Sequence, residues 1–241
     1  MYKRQVRALV FSNGSRYVAQ KSGGDKATRI LVIGMVIFVV LVGVIFSVVS
    51  ANSRNHVAIP SAVSKADGYG IVFNGAKKPV IDVWEDFQCP ICQRFEALNG
   101  NYMNSIVRTG KAKVVYHTMS FIGAESVTSA AAAACAADSG KFLEFHTALY
   151  QNQPSTENSG TWTNPLLIVL GGASGITDKN FASCVNSGKY INWTKNIETD
   201  AAKKNINATP TIFVNGKELN RATQYMDAAA FKAALAAGGI A

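Results

Sequence analysis

The chain alternates between three hydropathy regimes. Residues 30–53 carry no charged side chain, and 30–49 are almost wholly apolar, dominated by Val and Ile. A helix of such residues rises about 1.5 Å per residue, so the stretch 30–51 reaches about 33 Å, enough to cross a bilayer core. Its apolarity is uniform rather than confined to one stripe, which excludes an ordinary half-buried helix. A cleavable signal peptide has a shorter apolar core, about 7–15 residues, after a brief basic start. Here the leader runs to Arg29, and Ser50-Ala51 is only a loose match to a cleavage site. The pattern predicts an uncleaved transmembrane signal anchor over 30–51, preceded by a leader, 1–29.

Residues 52–75 mix Ser, Ala, Asn, His and Gly without sustained period and read as a stalk, with a short strand at 70–73. The regular pattern begins at 79–87, β-branched and aromatic enough for a buried strand, and returns at 113–119. Between them Phe95, Leu98, Tyr102 and Ile106 recur at helical spacing, so the unit reads as parallel strand–helix–strand. An all-helical stretch follows, about 123–205. It has an alanine-rich segment at 126–137, then Phe142, Phe145, His146 and Leu149 on one face, and further helices at 163–170, 178–187 and 190–204. Strand signals resume at 211–214, turn at Asn215-Gly216, and a last helix covers 227–237. The predicted class is α/β, with a helical insertion inside the domain 76–241.

Charge orients the predicted anchor. Lys3, Arg4, Arg7, Arg16, Lys21, Lys26 and Arg29 precede it against the single acid Asp25, so six units of the formal net charge of +9 lie in the leader. Basic residues stay cytoplasmic, which places the N-terminus inside and everything after the span outside the cytoplasm. A basic leader beside an anionic membrane accounts for the charge without a nucleic-acid partner.

Cys89-Pro90-Ile91-Cys92 sits where the first strong strand gives way to a helix. There the first thiol meets the free N–H groups and positive end of the helix, which favour a thiolate. A lone Cys-x-x-Cys also serves as half a zinc site or as a structural disulfide. Zinc wants four ligands. The other cysteines, Cys135 and Cys184, stand far apart, and His56, His117 and His146 form no ligand spacing. Redox chemistry is the favoured reading, with no metal expected; His117 and His146 are expected as locally hydrogen-bonded core or surface residues.

With Cys89-Pro90-Ile91-Cys92 in its first half and Thr209-Pro210-Thr211 before the hairpin, the domain resembles the DsbA-like branch of the thioredoxin-fold proteins, especially the membrane-anchored Gram-positive and actinobacterial type. The resemblance implies a thioredoxin fold with an inserted helical subdomain, and thiol–disulfide exchange. It implies Cys89 as the exposed nucleophile, Cys92 as the buried resolving thiol, and a cis-proline at Pro210 with Thr209 presenting backbone groups to substrate. Pro90 and Ile91 shape the site from between the two cysteines.

Two departures from that family matter. Many relatives keep a buried acid six residues before the nucleophile; here Val83 stands there, and strand alternation makes Glu85 the best substitute, with a solvated or salt-bridged carboxylate at the strand end as the alternative. Ile91 brings neither charge nor side-chain hydrogen bond to the thiolate, so Cys89 is expected to be less acidic than in relatives with Pro-His. Cys135 and Cys184, exported and even in number, are expected to pair as a structural disulfide, the alternative being two unpaired thiols. The implied partners are exported unfolded proteins and a DsbB-like or VKOR-like membrane reoxidant, with the chain a monomer and no cofactor of its own. A reductase or isomerase, and a non-catalytic peptide-binding tether, are the rival functions.

Overall fold

A computed structural model describes residues 26–55 and 57–240. The chain divides into two units, 1–55 and 56–241. The described residues of the first form one helix, α1 (Lys26–Asn55). Its side chains are described at 29–45, and among the described residues no helix is long and apolar enough to cross a membrane. The predicted span 30–51 falls within α1, with its side chains described only as far as residue 45, and the predicted leader 1–29 lies outside the described residues up to residue 25.

The second unit holds six strands: β1 (Val63–Ser64), β2 (Gly70–Phe73), β3 (Val80–Asp86), β4 (Lys113–Met119), β5 (Thr211–Val214) and β6 (Lys217–Glu218). They form one sheet in the order β1-β2-β4-β3-β5-β6. Strand β3 is central, parallel to β4 and antiparallel to β5, with Trp84 opposite His117 on one side and Thr211 on the other. Neighbours on both edges and cover on both faces bury most of β3, including the acids Glu85 and Asp86 at its end. The parallel neighbours require a crossover, supplied by α2 (Pro90–Thr109). That helix stops at Gly110, whose left-handed φ of 65° favours glycine. The β5–β6 hairpin turns on Asn215 and Gly216, both at positive φ, as a tight two-residue turn demands.

Five helices intervene between β4 and β5: α3 (Ala124–Asp138), α4 (Phe142–Gln151), α5 (Asn164–Ala173), α6 (Lys179–Asn186) and α7 (Ile191–Lys203). Ala130 to Ala134 are all buried, and their small side chains let α3 pack against α4, α5, α6 and α7 at once. A disulfide between Cys135 and Cys184 joins α3 to α6. Asp178, at the N-cap of α6, accepts from the backbone of Asn180, and Thr163 caps α5. The fold ends with a single turn, α8 (Arg221–Gln224), and α9 (Ala228–Ala237). This is a thioredoxin fold with a helical insertion.

Residues 57–75 of the expected stalk 52–75 belong to the domain, and the short strand expected at 70–73 is β2. Val57, Ala58, Ile59, Ala62 and Val63 pack against the core, and β1 and β2 extend the sheet. A two-residue strand and an irregular apolar segment have no period to detect, which is why the sequence pattern missed them. The peptide bonds Lys78–Pro79 and Thr209–Pro210 are both cis, the first of these without a sequence signal.

Candidate active site

Strand β3 delivers the chain to a tight turn, where Cys89 becomes the N-cap of α2 in extended conformation and Pro90 opens the helix. Pro is well placed there because the first helical N–H has no partner to lose. Cys89, expected as the exposed thiol, is instead covered but for 8% of its surface, and Cys92, one turn on, is sealed completely. Ile91 stands half exposed between them. Both cysteines are free thiols.

The two sulfurs are unequal. A hydrogen bond from Cys92 is the largest influence lowering Cys89, whose pKa falls to about 6 against the opposing cost of burial; Thr209 and the backbone N–H groups of Ile91 and Cys92 also favour the thiolate. Burial, above all, pushes Cys92 well above the ordinary thiol range, and the hydrogen bond to Cys89 and the charge of Glu85 act in the same direction. The Cys89 thiol donates to the carbonyl oxygen of Thr209 at 3.5 Å, which brings the cis-Pro210 loop against the nucleophile. Tyr225 holds that loop's strand from behind, its hydroxyl accepting from the backbone N–H of Ile212 at 2.7 Å.

Acids flank the pair. Only 3% of Glu85 is exposed, so it is not a solvated carboxylate; it faces Glu96 of α2 and His146 of α4, and its contact with His146 is that of the salt-bridged alternative. Burial raises its pKa to about 8. Asp86, fully buried, rises to about 6 by the same cause, although its carboxylate accepts from Gln88 N, Ser126 Oγ and Ile122 N. Glu96 and His146 stand beside Glu85, His146 Nε2 lying 3.0 Å from Glu85 Oε2. His146 is thus a core residue, but its partner is 61 positions away rather than local. His117 is buried on another part of the sheet, stacked on Trp84 at 3.6 Å. Among the described residues, Glu85, Glu96 and His146 are the one group close enough together to consider for a metal ion.

The helical insertion grips the active-site turn. Gln153 donates to the carbonyls of Phe87 and Cys89, Tyr150 to that of Asp86, and Gln88 to Ser126 Oγ and Asn158 Oδ1. None of Gln88, Ser126, Tyr150, Gln153 or Asn158 carries a motif that would single it out in the sequence. Glu96 did have a signal: it lies four residues after Cys92, on the same helix face.

The family model for thioredoxin matches residues 72–235. The chain is 30% identical over 181 residues to a putative protein-disulfide oxidoreductase of Rickettsia typhi, covering 68% of this chain and 62% of that relative's length. It is 33% identical to the solved disulfide-bond oxidoreductase DsbG of Mycobacterium tuberculosis, covering 65% of this chain and 76% of that one, with a TM-score of 0.56. The MdbA thiol-disulfide oxidoreductase of Actinomyces oris shares the fold, at 20% identity and a TM-score of 0.65 over 76% of this chain and 93% of that one. The chain belongs to the thioredoxin family, and its similar proteins are DsbA-like thiol–disulfide oxidoreductases.

Proposed function

We propose that the chain is an extracytoplasmic, membrane-anchored dithiol–disulfide oxidoreductase that introduces disulfides into exported proteins. The observation that carries this reading is the inequality of the two thiols. Cys89 is acidified at a helix N-terminus, first by the hydrogen bond from Cys92 and then by Thr209 and the helix N–H groups, and Cys92 is sealed and held protonated. A sulfur that ionises easily is a good leaving group, and stabilising it favours the dithiol over the disulfide, which makes the disulfide oxidising.

A substrate thiolate attacks Cys89 Sγ of the oxidised pair. The bond to Cys92 breaks, and Cys92 keeps the electron pair and takes a proton. A second substrate thiolate then attacks the substrate sulfur of the mixed disulfide, releasing Cys89 as thiolate. Two electrons pass from substrate to protein, and a DsbB-like or VKOR-like membrane partner removes them.

Anchoring completes the reading. The large apolar side chains of α1 between residues 30 and 45 are exposed, which suits lipid rather than water. The basic leader places the catalytic unit on the far side of the membrane from the cytoplasm. Protease added outside intact cells should remove everything beyond the anchor; a mature chain beginning near Ala51 would replace the anchor with a cleaved signal peptide.

Substitution of Cys92 by Ala tests the chemistry in the cell. Mixed disulfides between Cys89 and exported proteins should accumulate, and vanish when Cys89 is replaced as well. A wild-type pair held reduced in cells would reverse the direction to a reductase, and no trapped species at all would leave a peptide-binding tether.

A further inference from the structure

The loop that meets Cys89 is held by side chains rather than by its own backbone. Thr209, whose carbonyl accepts from the Cys89 thiol, lies between α7 and β5. Among the described residues, no backbone N–H of 207–209 reaches a backbone carbonyl, and Pro210 has no N–H. The loop is closed instead by Thr211, buried at the start of β5, whose hydroxyl donates to the carbonyl oxygen of Ala208 at 2.7 Å. Thr209 and Pro210 lie between the two ends of that bond.

The Thr211 hydroxyl has a second partner. Arg221, the first residue of α8, donates from Nη2 to Thr211 Oγ1 at 2.6 Å. The hydroxyl proton is committed to Ala208, so Arg221 meets a lone pair, and a charged donor there strengthens the bond that the hydroxyl itself makes. The same turn also reaches the helix that carries the cysteines. Tyr225, at the C-cap of α8, accepts from Ile212 N through its hydroxyl, and its carbonyl accepts from Asn99 Nδ2 of α2 at 2.8 Å. Its ring meets Phe95 of α2 edge-on, with centroids 5.7 Å apart. Arg221 also lies 3.6 Å from Glu218 Oε1, where both side chains reach solvent. An exposed pair at that distance contributes little, whereas the bond to Thr211 ends on a buried hydroxyl.

Building on the thiol–disulfide chemistry proposed above, we infer that Arg221 is a positioning residue of that reaction, holding Ala208, Thr209 and Pro210 beside Cys89 through its bond to Thr211. It touches neither sulfur. Its effect reaches the chemistry by two routes. The Thr209 carbonyl keeps its place against Cys89 Sγ. The backbone groups of 207–209, which take no backbone partner within the domain, stay fixed where an extended substrate segment can pair with them. Without the guanidinium the loop keeps only the single bond from Thr211 to Ala208, and substrate must order it on binding.

The test uses the full chain in detergent and makes two measurements. One is the rate at which oxidised protein oxidises a reduced, unfolded secretory protein, followed against substrate concentration; the other is the thiolate titration of Cys89 in the reduced protein. Arg221→Met keeps the stem and removes the donors, Thr211→Val removes the acceptor, and Glu218→Gln removes the ion pair alone. A hydrogen bond from a charged group is worth about tenfold or more in an equilibrium, so Arg221→Met should raise the half-saturating substrate concentration about tenfold with little change in the limiting rate. Its Cys89 midpoint should move upward as the Thr209 contact loosens. Thr211→Val should lose at least as much, and adding Arg221→Met to it should cost nothing further, because both changes cut one bond. Glu218→Gln should behave as wild type. If Thr211→Val does not fold, Arg221→Met beside Glu218→Gln decides alone. A folded Arg221→Met with the wild-type half-saturation and Cys89 midpoint would overturn the inference, as would Glu218→Gln reproducing its losses. A wild-type chain that oxidises no substrate would remove the donor reading instead, and the Cys89 midpoint of Arg221→Met would still decide the role of Arg221.

Discussion

Gln153, two residues past the end of α4, donates from its side-chain amide to the carbonyl oxygen of Cys89 at 3.1 Å, and to that of Phe87 at 2.7 Å. The insertion thus holds the backbone on which the nucleophile sits. Replacing Gln153 by Ala leaves the Phe87 carbonyl to find water in a half-buried site, while that of Cys89 keeps the Gln93 N–H, and each lost bond is worth about 0.5–1.5 kcal/mol. Urea unfolding of Gln153→Ala should show a loss of about 1–2 kcal/mol. A variant as stable as wild type would mean that the clamp contributes nothing.

Cys89 should titrate alone. Its thiolate absorbance in the reduced protein should rise with a midpoint near pH 6, with Cys92 silent through neutral pH. Below that midpoint the nucleophile is lost and exchange slows. A single step near the ordinary thiol value would remove the helix-terminal acidification.

Stability of the oxidised protein should fall as pH rises. Glu85 has a folded pKa of about 8 against an ordinary 4.5, so the folded state holds a proton that the unfolded chain has already released. The free-energy contribution of that proton is fully present below about pH 4.5 and is lost as pH climbs through 8. Asp86 acts in the same sense between 3.8 and about 6. Denaturant titrations from acid to alkaline pH should show this decline, and Glu85→Gln should flatten its upper half. A curve that is flat for wild type would place Glu85 in contact with water.

Much of the fold is legible in the sequence, and the reason is local. Strand β3 and helix α2 announce themselves by period and by the cysteine motif between them, and the Asn215-Gly216 hairpin by its turn residues. The chemistry of Cys89 and Cys92 follows from that strand-to-helix step. The site's surroundings do not follow, because they are made of contacts between residues far apart in the chain. Gln88 meets Asn158 across 70 positions, and Glu85 meets His146 across 61. A polar side chain gives no sign in sequence of whether its partner will be water or another buried group.

Cys135 and Cys184 close a loop with a separation of 49 residues between α3 and α6. Chain entropy alone makes such a bridge worth about 4 kcal/mol. Cys184→Ala should lower stability by an amount of that order while leaving the Cys89 titration in place. A shift of the active-site titration on losing the bridge would couple the two pairs.

The central claim is disulfide donation through Cys89, and it is tested most directly by mixing stoichiometric oxidised protein with a reduced, unfolded secretory protein and counting the thiols lost. Wild type should oxidise the substrate while its own pair becomes reduced, and Cys89→Ser should do neither. Substrate thiols that persist beside a wild-type chain still fully oxidised would contradict the account.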